Sequence, residues 1–206
     1  QTAAVHAMGG NPGQSSAVEE YDGTNWSNGS NSPYGANVLA GTGILTAGFV
    51  AGGNSGSAYL TTAAEYDGTS WTAANSSPAT LNFHSGCGTQ TATIMGASQV
   101  TTPTQFFEYD GTNWTSASSL GSSNYNKGMA GIQTSAIYIG KGGSSNTTAE
   151  YDGSSWTDGA TVPFGFGTGT ATGSTAAGAN ALIAAAGNAA EYRLPGITEV
   201  KDIEVT

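Results

Sequence analysis

Glu20-Tyr21-Asp22-Gly23-Thr24-Asn25-Trp26 recurs unchanged as Glu108-Tyr109-Asp110-Gly111-Thr112-Asn113-Trp114. Two near copies share the chain: Glu65-Tyr66-Asp67-Gly68-Thr69-Ser70-Trp71 and Glu150-Tyr151-Asp152-Gly153-Ser154-Ser155-Trp156. A fifth, decayed copy keeps Glu191-Tyr192. The five tyrosines are 45, 43, 42 and 41 residues apart. A period in the forties with one aromatic turn per unit marks a repeat array, in which no unit can bury its faces alone.

One unit reads outward from the motif between Ala36 and Pro78. Asn37–Ala40 and Thr46–Ala51 are short runs of apolar and small residues, separated by a Gly-bearing turn and ended by Gly52-Gly53. They predict two buried strands. Thr62–Tyr66 predicts a third strand, Asp67-Gly68 a two-residue hairpin turn, and Ser70-Trp71-Thr72 a short fourth strand. Ser76-Ser77-Pro78 punctuates the chain before the next unit. Long helices are not expected among so many Gly and β-branched residues.

Four strands per unit of this length is the blade of a β-propeller. Small residues suit the crowded inner strands, and Tyr and Trp suit the wider space between blades. The expected fold is all-β, a ring of five four-stranded blades over residues 1–196. Tyr21, Tyr66, Tyr109 and Tyr151 are expected as framework positions between blades, with Trp26, Trp71, Trp114 and Trp156. The pairs Asp22-Gly23, Asp67-Gly68, Asp110-Gly111 and Asp152-Gly153 are expected in the turns.

The ends leave a choice open. Gln1 leaves no room for a strand ahead of Ala3–Met8, and a chain starting with Gln reads as a processed or excised segment. Residues 197–206 either close the ring by pairing the chain ends, or lead past Pro195-Gly196 to another domain. This segment and its approach are unusually charged for this chain.

Composition narrows the partners. Fourteen acids against four bases give a net charge of −10, so nucleic acid and anionic membrane surfaces are poor partners. No apolar run approaches the ~20 residues of a membrane span. Charged residues are only 9% of the chain, which separates it from highly charged disordered tracts. Cys87 is the single cysteine, so no intrachain disulfide forms, and it is expected as a small buried hydrophobe.

Eight of the 14 carboxylates belong to the repeated motif. They read either as one cation or substrate site per blade or as framework, the Asp opening a turn through its own backbone and the Glu lying on a strand edge. Catalysis rarely needs four copies of one residue, and calcium loops need more oxygen ligands at closer spacing. No catalytic residue, cofactor or metal ligand set is therefore assigned. His6 is expected within a strand and His84 just before one, in different parts of their repeats. The Asp-Gly-Thr-x-Trp string differs from the sialidase Asp-box, where Asp and Gly are not adjacent. The single Arg193 also cannot supply a cluster of substrate-binding arginines.

The chain resembles kelch-type propellers, whose repeats carry a diglycine, then a Tyr, then a Trp. Here these are Gly9-Gly10, Tyr21 and Trp26, then Gly52-Gly53, Tyr66 and Trp71, then Gly142-Gly143, Tyr151 and Trp156. The third unit departs, with Gly96-Ala97 ahead of Tyr109, and the fifth has only Gly187 and no Trp after Tyr192. The Glu-Tyr-Asp-Gly-Thr-Asn-Trp repeats in a Gly/Ser/Thr/Asn-rich, lysine-poor chain also resemble virion proteins of marine bacteriophages, in tail fibres and other surface appendages. That resemblance implies a non-enzymatic structural or adhesive module, virion-borne or extracellular, whose partners are other subunits of the assembly. The alternative is a carbohydrate-binding propeller in which Tyr34, Tyr59 and Tyr125 stack on host-surface glycans. A glycan-active enzyme is third. Those three tyrosines equally suit gaps between blades.

Overall fold

The computed structural model describes the chain apart from residues 1–2, 11–12, 100–102, 123–124, 126, 143–145, 164, 166–169, 173–179, 186–187 and 194–206, with side chains up to residue 165. The closing strand or linker expected at 197–206 lies outside the described residues, as do Gly143 and Gly187 of the kelch-like glycine pattern.

The architecture is all-β and propeller-like, with no helix among the described residues. Five antiparallel sheets follow one another along the chain. The first comprises β1 (Ala4–Gly9), β2 (Ser15–Tyr21) and β3 (Trp26–Asn28). The second comprises β4 (Ala40–Ile44), β5 (Ala47–Ala51), β6 (Ala63–Tyr66) and β7 (Trp71–Ala74). The third comprises β8 (Ser85–Thr89), β9 (Ala92–Gly96), β10 (Phe106–Tyr109) and β11 (Trp114–Ser116). The fourth comprises β12 (Gly128–Ile132), β13 (Ser135–Ile139), β14 (Thr148–Tyr151) and β15 (Trp156–Asp158). The fifth shows β16 (Thr170–Thr172), β17 (Asn180–Ala185) and β18 (Asn188–Arg193). Strands β4, β8, β12 and β16 pack against one another in that succession and form the inner layer.

Three expectations need correction. The first strand of the second unit is Ala40–Ile44, not Asn37–Ala40. Its glycines looked like a turn, but they let the strand approach its neighbour. A Cβ on Gly41 would sit 3.3 Å from the Phe49 carbonyl oxygen, and one on Gly43 would sit 2.1 Å from that of Ala47. The motif turn has four residues rather than two, because Tyr66 pairs with Trp71 across Asp67–Ser70. The Asp67 carboxylate caps two amides of this loop, which a two-residue turn could not present to it. Finally, the diglycines of the kelch-like pattern are not equivalent positions. In four sheets the left-handed residue falls four places after the strand residue that pairs with the motif Tyr. These residues are Met8 (φ 64°), Gly52 (70°), Ala97 (57°) and Gly140 (90°). Only in the second sheet is this the first glycine of such a diglycine. There it is needed, since a Cβ on Gly52 would lie 2.2 Å from the Leu81 carbonyl oxygen.

The core lies between sheets. Phe49 and Ala63 of the second sheet pack with Met95, Phe107 and Tyr109 of the third, and Ile94 and Phe106 of the third pack with Met129, Tyr138 and Tyr151 of the fourth. Rings cross the same boundaries, with Phe49 stacked on Tyr109 at 4.5 Å and Phe106 edge-on to Tyr138 at 5.6 Å. Along the first four sheets each thus buries a face on the next, as the repeat logic requires.

Candidate functional site

The motif turns are built alike. Asp22 Oδ1 accepts the amides of Thr24 and Asn25, both at 2.7 Å. Asp67 takes those of Thr69 and Ser70, Asp110 those of Thr112 and Asn113, and Asp152 those of Ser154 and Ser155. These amides hold all four carboxyls below the ordinary carboxylate range, Asp152 at about 2. Gly23, Gly68, Gly111 and Gly153 follow with φ between 92° and 100°, the left-handed conformation that suits glycine.

The motif glutamates bind across sheets. Tyr109 donates to Glu65 Oε1 at 2.8 Å, Tyr151 donates to Glu108 Oε1 at 2.8 Å, and Tyr66 donates to Glu20 Oε1. Every Tyr in this series reaches the Glu of the preceding sheet. Burial, the Glu bond and the nearby carboxylates raise all three phenols, Tyr66 to about 12. Within each motif the Tyr and Trp rings are 4.8–5.2 Å apart. Trp114 Nε1 donates to the Asn75 carbonyl and Trp156 Nε1 to that of Ser118, again one sheet back. Trp71 Nε1 is buried without a hydrogen-bond partner, and Trp26 is 57% exposed. Tyr21 is half-buried, whereas Tyr66, Tyr109 and Tyr151 are buried.

A further rung escaped the sequence reading. Gln90 Nε2 donates to the carbonyls of Gly48 and Tyr66, and Gln133 Nε2 to those of Thr93 and Tyr109. Each Gln lies 24 residues after the Tyr whose carbonyl it binds. That shared spacing was the available signal.

The three candidate sugar-stacking tyrosines do not form one site. Tyr34 packs with Met8, Ala36 and Val50 and donates to the Thr62 carbonyl at 3.3 Å, so it fills a gap between sheets. Its phenol is raised by burial. Tyr59 and Tyr125 are exposed. Tyr125 stands edge-on to Phe83 at 6.4 Å, and Tyr59 bridges to Asn54 through its backbone.

The histidines are equally separate. His6 is exposed on β1, with Nδ1 2.9 Å from Glu19 Oε2. His84 immediately precedes β8, buried, with neither ring nitrogen hydrogen-bonded, and burial pulls its pKa down to about 3. Cys87 is buried on β8, its thiol pushed up to about 12. No group of three His, Cys, Asp or Glu capable of holding a metal occurs among the described residues. No helix among them is long and apolar enough to cross a membrane.

One cavity of about 860 Å³ lies between β1 and the strands β4 and β5, lined by Val5, Leu39, Thr42, Ile44, Phe49 and Val50 among others. It has an apolar wall and no carboxylate in its lining.

These features define an all-β repeat protein of propeller-like fold. The solved structure of YjhT superposes with a TM-score of 0.68 at 15% identity, over 89% of this chain and 69% of that one. This likeness is one of fold. No protein-family model and no curated protein matches the chain.

Proposed function

We propose that the chain is a non-enzymatic structural or adhesive module of a phage virion or other extracellular assembly, its sheets acting as kelch-like blades of a five-bladed ring. The observation that carries this reading is the engagement of the repeated carboxylates. Each motif Asp holds its own turn, and Glu20, Glu65 and Glu108 each bind the Tyr of the following sheet. Groups committed to the frame are unavailable for general acid or base work, which needs a carboxyl free to exchange a proton with substrate. The partners are then other subunits, met through the loops between strands.

The exposed rings of Tyr59 and Tyr125 favour a second reading, a glycan-binding propeller. The purified chain is assayed against a glycan panel with and without calcium, copper and zinc, following both binding and product release. Mass spectrometry of purified particles from the source is the parallel arm, and the chain should be among their structural proteins. Turnover lost on mutating a single carboxylate would overturn the structural reading. Binding without turnover, abolished by Tyr59→Ala or Tyr125→Ala, would favour the glycan reading.

A further inference from the structure

Three kinds of side-chain bond recur where one sheet meets the next. The motif Tyr donates to the Glu of the preceding sheet, the motif Trp to a carbonyl just beyond that sheet's outer strand, and a Gln to two more of its carbonyls. At the seam between the second and third sheets these are Tyr109–Glu65, Trp114–Asn75, and Gln90 with Gly48 and Tyr66. At the seam between the third and fourth they are Tyr151–Glu108, Trp156–Ser118, and Gln133 with Thr93 and Tyr109.

The seam between the first and second sheets keeps only Tyr66–Glu20 of the three. Trp71 Nε1 is buried without an acceptor, and Leu45 occupies the Gln position. Gln90 and Gln133 stand three residues before Thr93 and Ala136, the partners of Tyr109 and Tyr151, and Leu45 stands three before Gly48, the partner of Tyr66. The matching carbonyls of the first sheet are those of Ala4 and Tyr21, to which a hydrocarbon side chain offers no donor. Two other bonds cross this seam, from Ser30 to the Thr69 carbonyl at 2.6 Å and from Tyr34 to that of Thr62 at 3.3 Å. The first of these has its counterpart one sheet on, in Asn75–Thr112, so it does not make up the difference. Packing follows the same order. Phe49 meets Tyr109 across the second seam and Phe106 meets Tyr138 and Trp156 across the third. The residues buried at the first are Met8, Ala36, Val50 and Ala64, and among the described residues no ring pair crosses it.

We infer that the first seam is an opening point built into the fold, at which the first sheet parts from the second while each keeps its own ladder of strands. Both causes lie inside the second sheet, Leu45 in the turn between β4 and β5 and Trp71 on β7. Parting the sheets lets water reach the Trp71 indole, so a buried donor that lacks an acceptor gains one by opening. Moving elements are drawn from the least protected units of a fold. A seam short of bonds opens whether or not the module belongs to a virion.

Ala63 and Ala64 make the test direct, because both are fully buried neighbours on β6 and face opposite seams, Ala63 the second and Ala64 the first. Ala63→Cys and Ala64→Cys are made separately in the full chain with Cys87→Ala, and labelling by dithionitrobenzoate is followed under native conditions. Each rate is divided by that of the same unfolded variant. Ala64→Cys should label at least about tenfold faster, since two Gln bonds and one Trp bond are missing on its side. Leu45→Gln should slow Ala64→Cys and leave Ala63→Cys unchanged, and Gln90→Leu should speed Ala63→Cys. Equal rates at the two positions would mean that β6 is reached by unfolding of the sheet, and would overturn the inference. Faster labelling of Ala63→Cys, or an Ala64→Cys rate indifferent to Leu45→Gln, would overturn it as well.

Discussion

The Tyr109 hydroxyl rests 2.8 Å from Glu65 Oε1, joining residues 44 apart in the chain and one sheet apart in space. The same bond recurs at Tyr151–Glu108 and Tyr66–Glu20. Tyr109→Phe should therefore destabilise the protein by about 1–2 kcal/mol, the cost of a buried hydrogen bond to a charged acceptor with some residual hydration. Urea unfolding at neutral pH measures it. Glu65→Gln, which keeps an acceptor, should cost less. An unchanged midpoint in Tyr109→Phe would mean that the bond contributes nothing.

The tryptophans should not be equivalent. Trp114 packs on Tyr109 and Phe49 and donates to Asn75, whereas Trp26 is 57% exposed. Trp114→Ala should cost about 3 kcal/mol, at the lower end of core aromatic truncation. Trp26→Ala should cost less than half of that. Equal losses in thermal unfolding would contradict the difference in packing.

His84 should make the fold acid-sensitive. Burial lowers its pKa from 6.5 to about 3, so the fold favours the neutral ring. That contribution is fully present above pH 6.5 and is lost as pH falls through 3. The position in the second sheet equivalent to His84 is Leu39, each residue immediately preceding its inner strand. His84→Leu should flatten the stability profile between pH 6.5 and 3 without loss at neutral pH. The remaining acid loss below pH 3.8 then comes from the four motif aspartates, whose depressed pKa values make their contributions present above 3.8 and lost as the pH falls further, for Asp152 toward 2. A profile as steep in the variant as in the parent would exclude the His84 role.

At the alkaline end the sign reverses. Tyr66 titrates near pH 12 in the folded chain against 10 for a freely solvated tyrosine, so the fold favours the protonated phenol. This contribution is complete below pH 10 and disappears as pH rises through 12. Spectrophotometric titration at 295 nm should show ionisation of Tyr66, Tyr109 and Tyr151 coinciding with unfolding.

The motif made the hairpin of the first four units legible in the sequence through its Tyr–Trp pair, although not the four-residue length of the loop, which Asp-Gly alone does not state. The inner strands were harder to read. Gly41 and Gly43 are turn residues by propensity, and only the approach of β5 explains them as strand. The glycine pattern misled for a related reason. Met8 and Ala97 hold left-handed positions that a glycine would be expected to fill, and tertiary contacts impose that conformation on them. The carboxylates were assigned to structure from turn chemistry, which describes the Asp. The bond from Glu to the next sheet's Tyr depends on packing between sheets, which no window of sequence contains.

The Tyr-to-Glu bonds all point backward, from each sheet to the one before it. An interface of that kind has a head and a tail, unlike a two-fold contact, and the bond itself is the same at every joint, while the rotation between units decides where a ring closes. Each unit carries one copy of both halves. An in-frame duplication of one unit therefore brings a new donor for the unit before it and a new acceptor for the unit after it. A deletion removes one of each. Such a chain can lengthen or shorten by whole units while every surviving joint keeps its chemistry, so unit number is open to change by recombination without any new contact being invented.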